Sequence, residues 1–178
     1  MMILTSNVLR PGGFYDCVFQ TTSNLGADAP YTQNLIWQDH NTSGSVNTAL
    51  GVENYDGKGS KWYMNTGGAK GVSSNSNYPH TWEAPYVPGE TDQWEIQWKN
   101  TNDSSGWVDL YRNGAKVDHY SGPNVVAGTQ YNVVGIGIYE WDWRLPHDSK
   151  LLSQSITFSN FTMYAIPGPI SPMAATGH

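Results

Sequence analysis

Short runs that alternate apolar and polar residues, or stay apolar for a strand's length, each closed by turn-forming residues, leave this chain little to fold into except β-strands. Such runs occupy Phe14 to Thr21, Asn34 to Asn41, Asn47 to Asn54, Lys61 to Thr66, Gln93 to Asn100, Trp107 to Arg112, Ala115 to Tyr120, Tyr131 to Trp143 and Ser155 to Tyr164. Between them stand breakers such as Asn-Thr-Ser-Gly at 41 to 44, Asp-Gly-Lys-Gly at 56 to 59 and Asn-Gly at 113 and 114. Asn113-Gly114 is the sharpest hairpin signal, because a two-residue turn with positive φ at both positions favours this pair. Many short antiparallel strands imply an all-β fold of two stacked sheets. The one helix expected is short, near Asp148 to Gln154, in a connection.

The 178 residues suit a single core, expected over 1–166, followed by a Pro-, Gly- and Ala-rich tail over 167–178 that is expected to be loosely held. Charged residues make up only 13%, and the net charge is −6 with a pI near 5.1. Nine scattered basic residues argue against a surface that tracks nucleic-acid phosphates. An anionic substrate is compatible with that charge, since a few donors in a cleft suffice to bind a carboxylate. The lone Cys17 lies in an apolar strand and reads as a small buried residue. No apolar run approaches the ~20 residues that span a bilayer, so no membrane partner is expected. Residues 1–12 lack the apolar core of a secretory signal; the expectation is a secreted monomer shown without its signal, and acceptor-type triplets at Asn41, Asn102 and Asn160 fit that.

Alternation assigns faces. In Leu35-Ile36-Trp37-Gln38-Asp39-His40 it puts Leu35 and Trp37 on the core side and Gln38 with His40 on the other. In Val134 to Trp141, Val134, Ile136 and Ile138 share one face, while Gly135, Gly137, Tyr139 and Trp141 share the opposite one. Glycines on a sheet face let a ligand or a packing neighbour approach the backbone closely. The core is therefore expected to contain Trp37, Trp94, Ile96, Val108, Leu110, Ile136 and Ile138. The chain also carries 8 Trp and 11 Tyr against 4 Phe, and about half of these rings are expected in the core, with others free to stack on sugar faces.

Three segments, in order, resemble the jelly-roll polysaccharide lyases, the group of fungal glucuronan lyases, alginate lyases and heparin lyase I. Trp37-Gln38-Asp39-His40-Asn41 is similar to their Gln-x-His strand. Asp92 to Trp98 followed by Ser105 to Gly114 resembles their back-sheet hairpin. Gly135-Ile136-Gly137-Ile138-Tyr139-Glu140-Trp141 resembles the Lys-x-Gly-(Ile/Val)-Tyr strand that carries a catalytic Tyr, with the motif's Lys falling on Gly135. The Arg-x-Glu-x-Arg strand of alginate lyases has no counterpart, and glucuronan lyases are the nearest subgroup. The resemblance implies a two-sheet antiparallel sandwich of the concanavalin-like jelly-roll kind, acting on an acidic polysaccharide through its concave face. It implies β-elimination with Gln38, His40 and Tyr139 as the catalytic set. Lys61, Tyr63, Trp141, Trp143 and Arg144 are the expected substrate-binding residues.

Elimination needs the uronate carboxylate neutralised, the C5 proton removed and the leaving O4 protonated. Gln38 can donate to the carboxylate, His40 can donate or act as base, and Tyr139 can carry the proton. Two other readings use the same fold. A sugar-binding module would need only stacking rings, for which Trp141, Trp143, Tyr63 and Trp82 are candidates, and a glycoside hydrolase would use the Glu140/Asp142 pair. No cofactor is required. The five His show no metal-ligand spacing, and acidic loops could at most offer a structural Ca2+ site through oxygen ligands.

Overall fold

A computed structural model of the chain describes residues 2–4, 9–25, 33–41, 46–54, 59–66, 80–125, 131–140 and 154–166. Every regular element among them is a strand: β1 (Met2–Leu4), β2 (Phe14–Asn24), β3 (Gln33–Asn41), β4 (Val46–Glu53), β5 (Lys61–Thr66), β6 (His80–Pro85), β7 (Thr91–Lys99), β8 (Trp107–Arg112), β9 (Ala115–Ser121), β10 (Asn132–Glu140) and β11 (Ser155–Ile166). They form a six-stranded sheet, in the order β1-β10-β3-β4-β5-β6, and a five-stranded sheet, in the order β11-β2-β7-β8-β9. The ladders are antiparallel throughout. The expected all-β sandwich is what the chain forms. Two strands were not anticipated: β1 has only three residues, and β6 is an edge strand ending in Pro85, a residue that sheets tolerate at such places. The helix expected at 148 to 154 falls, but for Gln154, outside the described residues, as does the tail over 167–178.

Alternation along β7 turns Trp94, Ile96 and Trp98 inward, each at most 1% exposed. Opposite them across the ladder stand Arg112, Leu110 and Val108. Rings hold the two sheets together. Trp37 of the six-stranded sheet meets Trp98 edge-on at 5.4 Å, and Trp62 meets Trp94 at 4.9 Å. Each such pair contributes roughly 0.5–1.5 kcal/mol beyond the burial of its area. Arg112 closes this cluster: its guanidinium lies 5.4 Å from the Trp94 ring centre and 5.9 Å from that of Trp62, while Nε and Nη2 donate to the Asp92 carboxylate at 2.7 and 3.0 Å. The neighbouring hairpin turns as expected, with φ of 52° at Asn113 and 79° at Gly114.

Irregularities in three strands matter later. In β3 the ladder to β4 slips between Leu35 and Trp37, so Ile36 and Trp37 both enter the main core, whereas Leu35 joins a separate buried cluster with Val46, Ala49 and Tyr63. The expectation that Leu35 and Trp37 share a face is thereby corrected. In β10 the ladder to β3 slips between Ile136 and Tyr139, around Gly137 with φ 142°. β11 slips against β2 between Ser159 and Thr162, where Asn160 takes a positive φ of 54°.

Candidate functional site

The outward face of the six-stranded sheet carries the groups of interest, in rows that cross the strands. Gly135, Gln38, Ala49 and Asn65 form one row. On one side of it lies the row of Val133, His40 and Val46, and on the other the row of Tyr139, Leu35, Gly51, Tyr63 and Glu83. The row of Glu53 and Lys61 follows. Gln38, His40 and Tyr139 therefore share a face, as alternation predicts. Gln38 has no large neighbour in its row, because Gly135 and Ala49 flank it. From Leu35, opposite Tyr139, to Gln38 is three residues, roughly 10 Å along the strand.

Local chemistry differentiates these groups. His40 is half-buried, and its Nδ1 lies 2.6 Å from the main-chain oxygen of Asn41. Gln38 is 6% exposed and Tyr139 is 41% exposed. Tyr63, in Tyr139's row, is fully buried; burial, and then the charge of Glu53, hold its hydroxyl well above the usual tyrosine range. It cannot serve as a base. Its ring lies flat across β4 because the residue beneath it is Gly51, where a Cβ would meet the ring at 2.8 Å and also collide with the carbonyl of Asn34. Lys61 is paired with Glu53 at 3.6 Å and with Glu83 at 3.0 Å.

Directly behind this face, between Gln38 and His40 in sequence, Asp39 points into the sandwich and is 1% exposed. Burial raises its carboxyl to about 7, although the N–H groups of Asn47, Asn100, Asn132 and Trp98 turned toward it favour the charged form. None of these donors closes a hydrogen bond of full geometry on the carboxylate, so the desolvation penalty prevails.

No protein-family model matches the chain, and no curated protein matches it in sequence. Solved structures do match its fold. An endo-β-1,4-glucuronan lyase from the fungus Trichoderma reesei superposes with a TM-score of 0.67 at 12% identity, over 98% of this chain and 77% of that one. The fold is the jelly roll of the polysaccharide lyases. Alginate lyases share it: the enzyme from Pseudomonas aeruginosa gives a TM-score of 0.57 at 12% identity over 87% of this chain and 66% of that one, and the enzyme from Klebsiella pneumoniae gives 0.54 at 13% over 88% and 61%.

Within this fold, several sequence expectations need correction or fall away. Tyr63 offers no stacking surface to a substrate, since its ring is wholly buried. Trp82 packs inward, opposite Met64 and against Trp94 at 6.2 Å, so it is a core residue rather than a platform. Lys61 lies on the expected face, but its charge is shared between two glutamates. Trp141, Trp143 and Arg144 lie outside the described residues, as does Asp142 of the Glu140/Asp142 pair; Glu140 itself pairs with Asn34 at the end of β10. Sequence reading missed Asn65, Glu53 and Glu83. The period-two set Lys61, Tyr63 and Asn65 was the signal that could have found the first of them.

Proposed function

We propose that this protein is a polysaccharide lyase that cleaves a uronate polymer, glucuronan-like, by β-elimination. The observation that carries the reading is the common outward face of Gln38, His40 and Tyr139, with only Gly135 and Ala49 beside Gln38 in its row. Gln38 donates its amide hydrogens to the C6 carboxylate, which makes the C5 proton more acidic and stabilises the enolate that forms when it leaves. In a glucuronate unit the C5 hydrogen and O4 lie on the same side of the ring, so one group can take the first proton and return it to the second. Tyr139 fits that task, being the exposed tyrosine of its row, and His40 beside Gln38 supplies a donor or a proton acceptor. The wider coverage of this chain by the glucuronan lyase than by the two alginate lyases supports glucuronan as the first substrate to try.

The test is incubation with glucuronan, alginate and heparin while the ultraviolet absorbance of the unsaturated product is followed. A rise with glucuronan is expected. Reducing ends appearing without that absorbance would replace elimination by hydrolysis, and binding without cleavage would make the protein a sugar-binding module.

A further inference from the structure

Asp39 is the one acid in the Gln38-Asp39-His40 triplet, and it faces the opposite way from its neighbours. It sits near the C-terminal end of β3, paired with Val134 of β10 and Thr48 of β4. The groups around its carboxyl come from three strands and both sheets: Asn47 from β4, Asn132 from β10, and Trp98 with Asn100 from β7 and the residue that follows it. All are at most 1% exposed. Trp98 in turn packs on Trp37, the other neighbour of Gln38 in this strand. Burying this much polar surface without well-formed hydrogen bonds costs several kcal/mol, so the arrangement is held by constraint from all sides.

None of the four facing groups titrates. Of the charged residues of β7, Glu95 and Lys99 alternate away from Trp94, Ile96 and Trp98 onto the outer face of the five-stranded sheet, where Asp16 of β2, opposite Gln97, lies too, whereas Asp92 shares the inner face six residues before Trp98 and is held there by Arg112. Cys17, beside Trp37, is held neutral by burial, its thiol pushed up to about 12. His40, one residue along, is on the far side of the strand. The groups turned toward the Asp39 carboxyl from β4, β10 and β7 are thus uncharged, among the described residues of these elements.

We infer that Asp39 is a positioning residue for the outward face of the six-stranded sheet, its buried carboxyl enclosed by polar groups of both sheets and thereby setting where Gln38 and His40 stand on the other side of β3. The inference rests on the catalytic reading of that face given above, and goes beyond it by assigning a role to a side chain that never meets the substrate. When the carboxyl gains or loses its proton, the four donors rearrange and the strand segment carrying Gln38 shifts with them. The ionisation lies near neutral pH, because burial raises this group to about 7.

Two measurements test it. In the intact protein, the side-chain amide resonances of Gln38, a residue that does not itself titrate, are expected to shift with the same midpoint as the carboxyl carbon of Asp39. Gln38 resonances that follow only the midpoint of the His40 ring would overturn the inference, whether or not the protein has lyase activity. The second is Asp39→Asn, which keeps the shape and removes the ionisation. On a polymer that the parent cleaves, kcat is expected to fall about 10- to 100-fold with KM changed less than threefold, and the step near pH 7 is expected to vanish from the kcat profile. Parent-like kcat and pH profile in a folded variant would also overturn it. A parent that cleaves none of the polymers would instead count against the lyase reading, and the resonance titration would still decide the role of Asp39.

Discussion

His40 donates a hydrogen bond from Nδ1 to the main-chain oxygen of Asn41, 2.6 Å away. A carbonyl only accepts, so the neutral ring carries its hydrogen on Nδ1 and keeps Nε2 as its acceptor. This fixes both the tautomer and the ring orientation without help from another side chain. His40→Ala is therefore expected to lower kcat on the cleaved polymer by about 10² to 10⁴ with little change in thermal melting, since the ring is half-buried and, among the described residues, bonds to its own backbone neighbour. A melt lowered by many degrees would mark the ring as structural instead.

Tyr139 and Gln38 are expected to separate in their kinetics. Tyr139→Phe removes only a hydroxyl from an exposed ring, so polymer binding should persist while elimination is lost. Gln38→Ala removes a carboxylate donor, so affinity should weaken and the rate should fall by roughly 10² to 10³, as for a lost oxyanion donor. Steady-state kinetics beside a binding isotherm on the same oligosaccharide would measure both. Full elimination by Tyr139→Phe would pass the proton transfer to His40.

The interior carboxyl sets a stability profile of definite sign. Asp39, at about 7 in the folded chain, stands above its ordinary 3.8, so folding takes up a proton between these values. Its contribution is fully present below about pH 4 and is lost as pH rises through 7, by on the order of 4 kcal/mol from a shift of about three pKa units. Asp16, raised to about 6 by burial and by Glu95, adds a smaller slope in the same direction. Chemical denaturation of the parent and of Asp39→Asn from pH 4 to pH 8 isolates the first effect, and parallel curves for the two proteins would refute it.

Gly51→Ala is expected to destabilise the fold by about 1–3 kcal/mol, because the added methyl meets the Tyr63 ring and the Asn34 carbonyl at once. Replacing Tyr63 as well should recover only part of the loss, since the backbone collision remains. A thermal melt of Gly51→Ala equal to the parent's would show that both the ring and the β3 backbone at Asn34 can give way, and would refute the expected loss.

Where ladders are regular, the sequence was a sufficient guide. Period two along β10 put Gly135 and Tyr139 on one face, and along the second half of β3 it did the same for Gln38 and His40. It failed at Leu35, since one slipped residue reverses the faces on either side and leaves no trace in composition. It could not separate Tyr63 from Tyr139 either, because both alternate outward and only their surroundings make one buried and the other wet. Trp82 was hidden for a related reason: it lies on an edge strand that Pro85 disguises as a loop, and its partners Met64 and Trp94 are remote in sequence. The importance of Asp39 was invisible, because an acid at an alternating position looks like an ordinary solvated residue until the opposite sheet is known.

The slip at Asn160 has a meaning for how molecules of this protein meet one another. β11 has twelve residues and borders the five-stranded sheet, so a straight β11 would present a long row of unpaired amides to any other chain with a similar border. A left-handed kink in the middle breaks that row into two short halves that cannot both be in register with a flat partner. Asn160 thus works as a guard against fibrous stacking, and a chain with the kink smoothed out would be exposed to edge-on self-association at concentrations the natural one withstands.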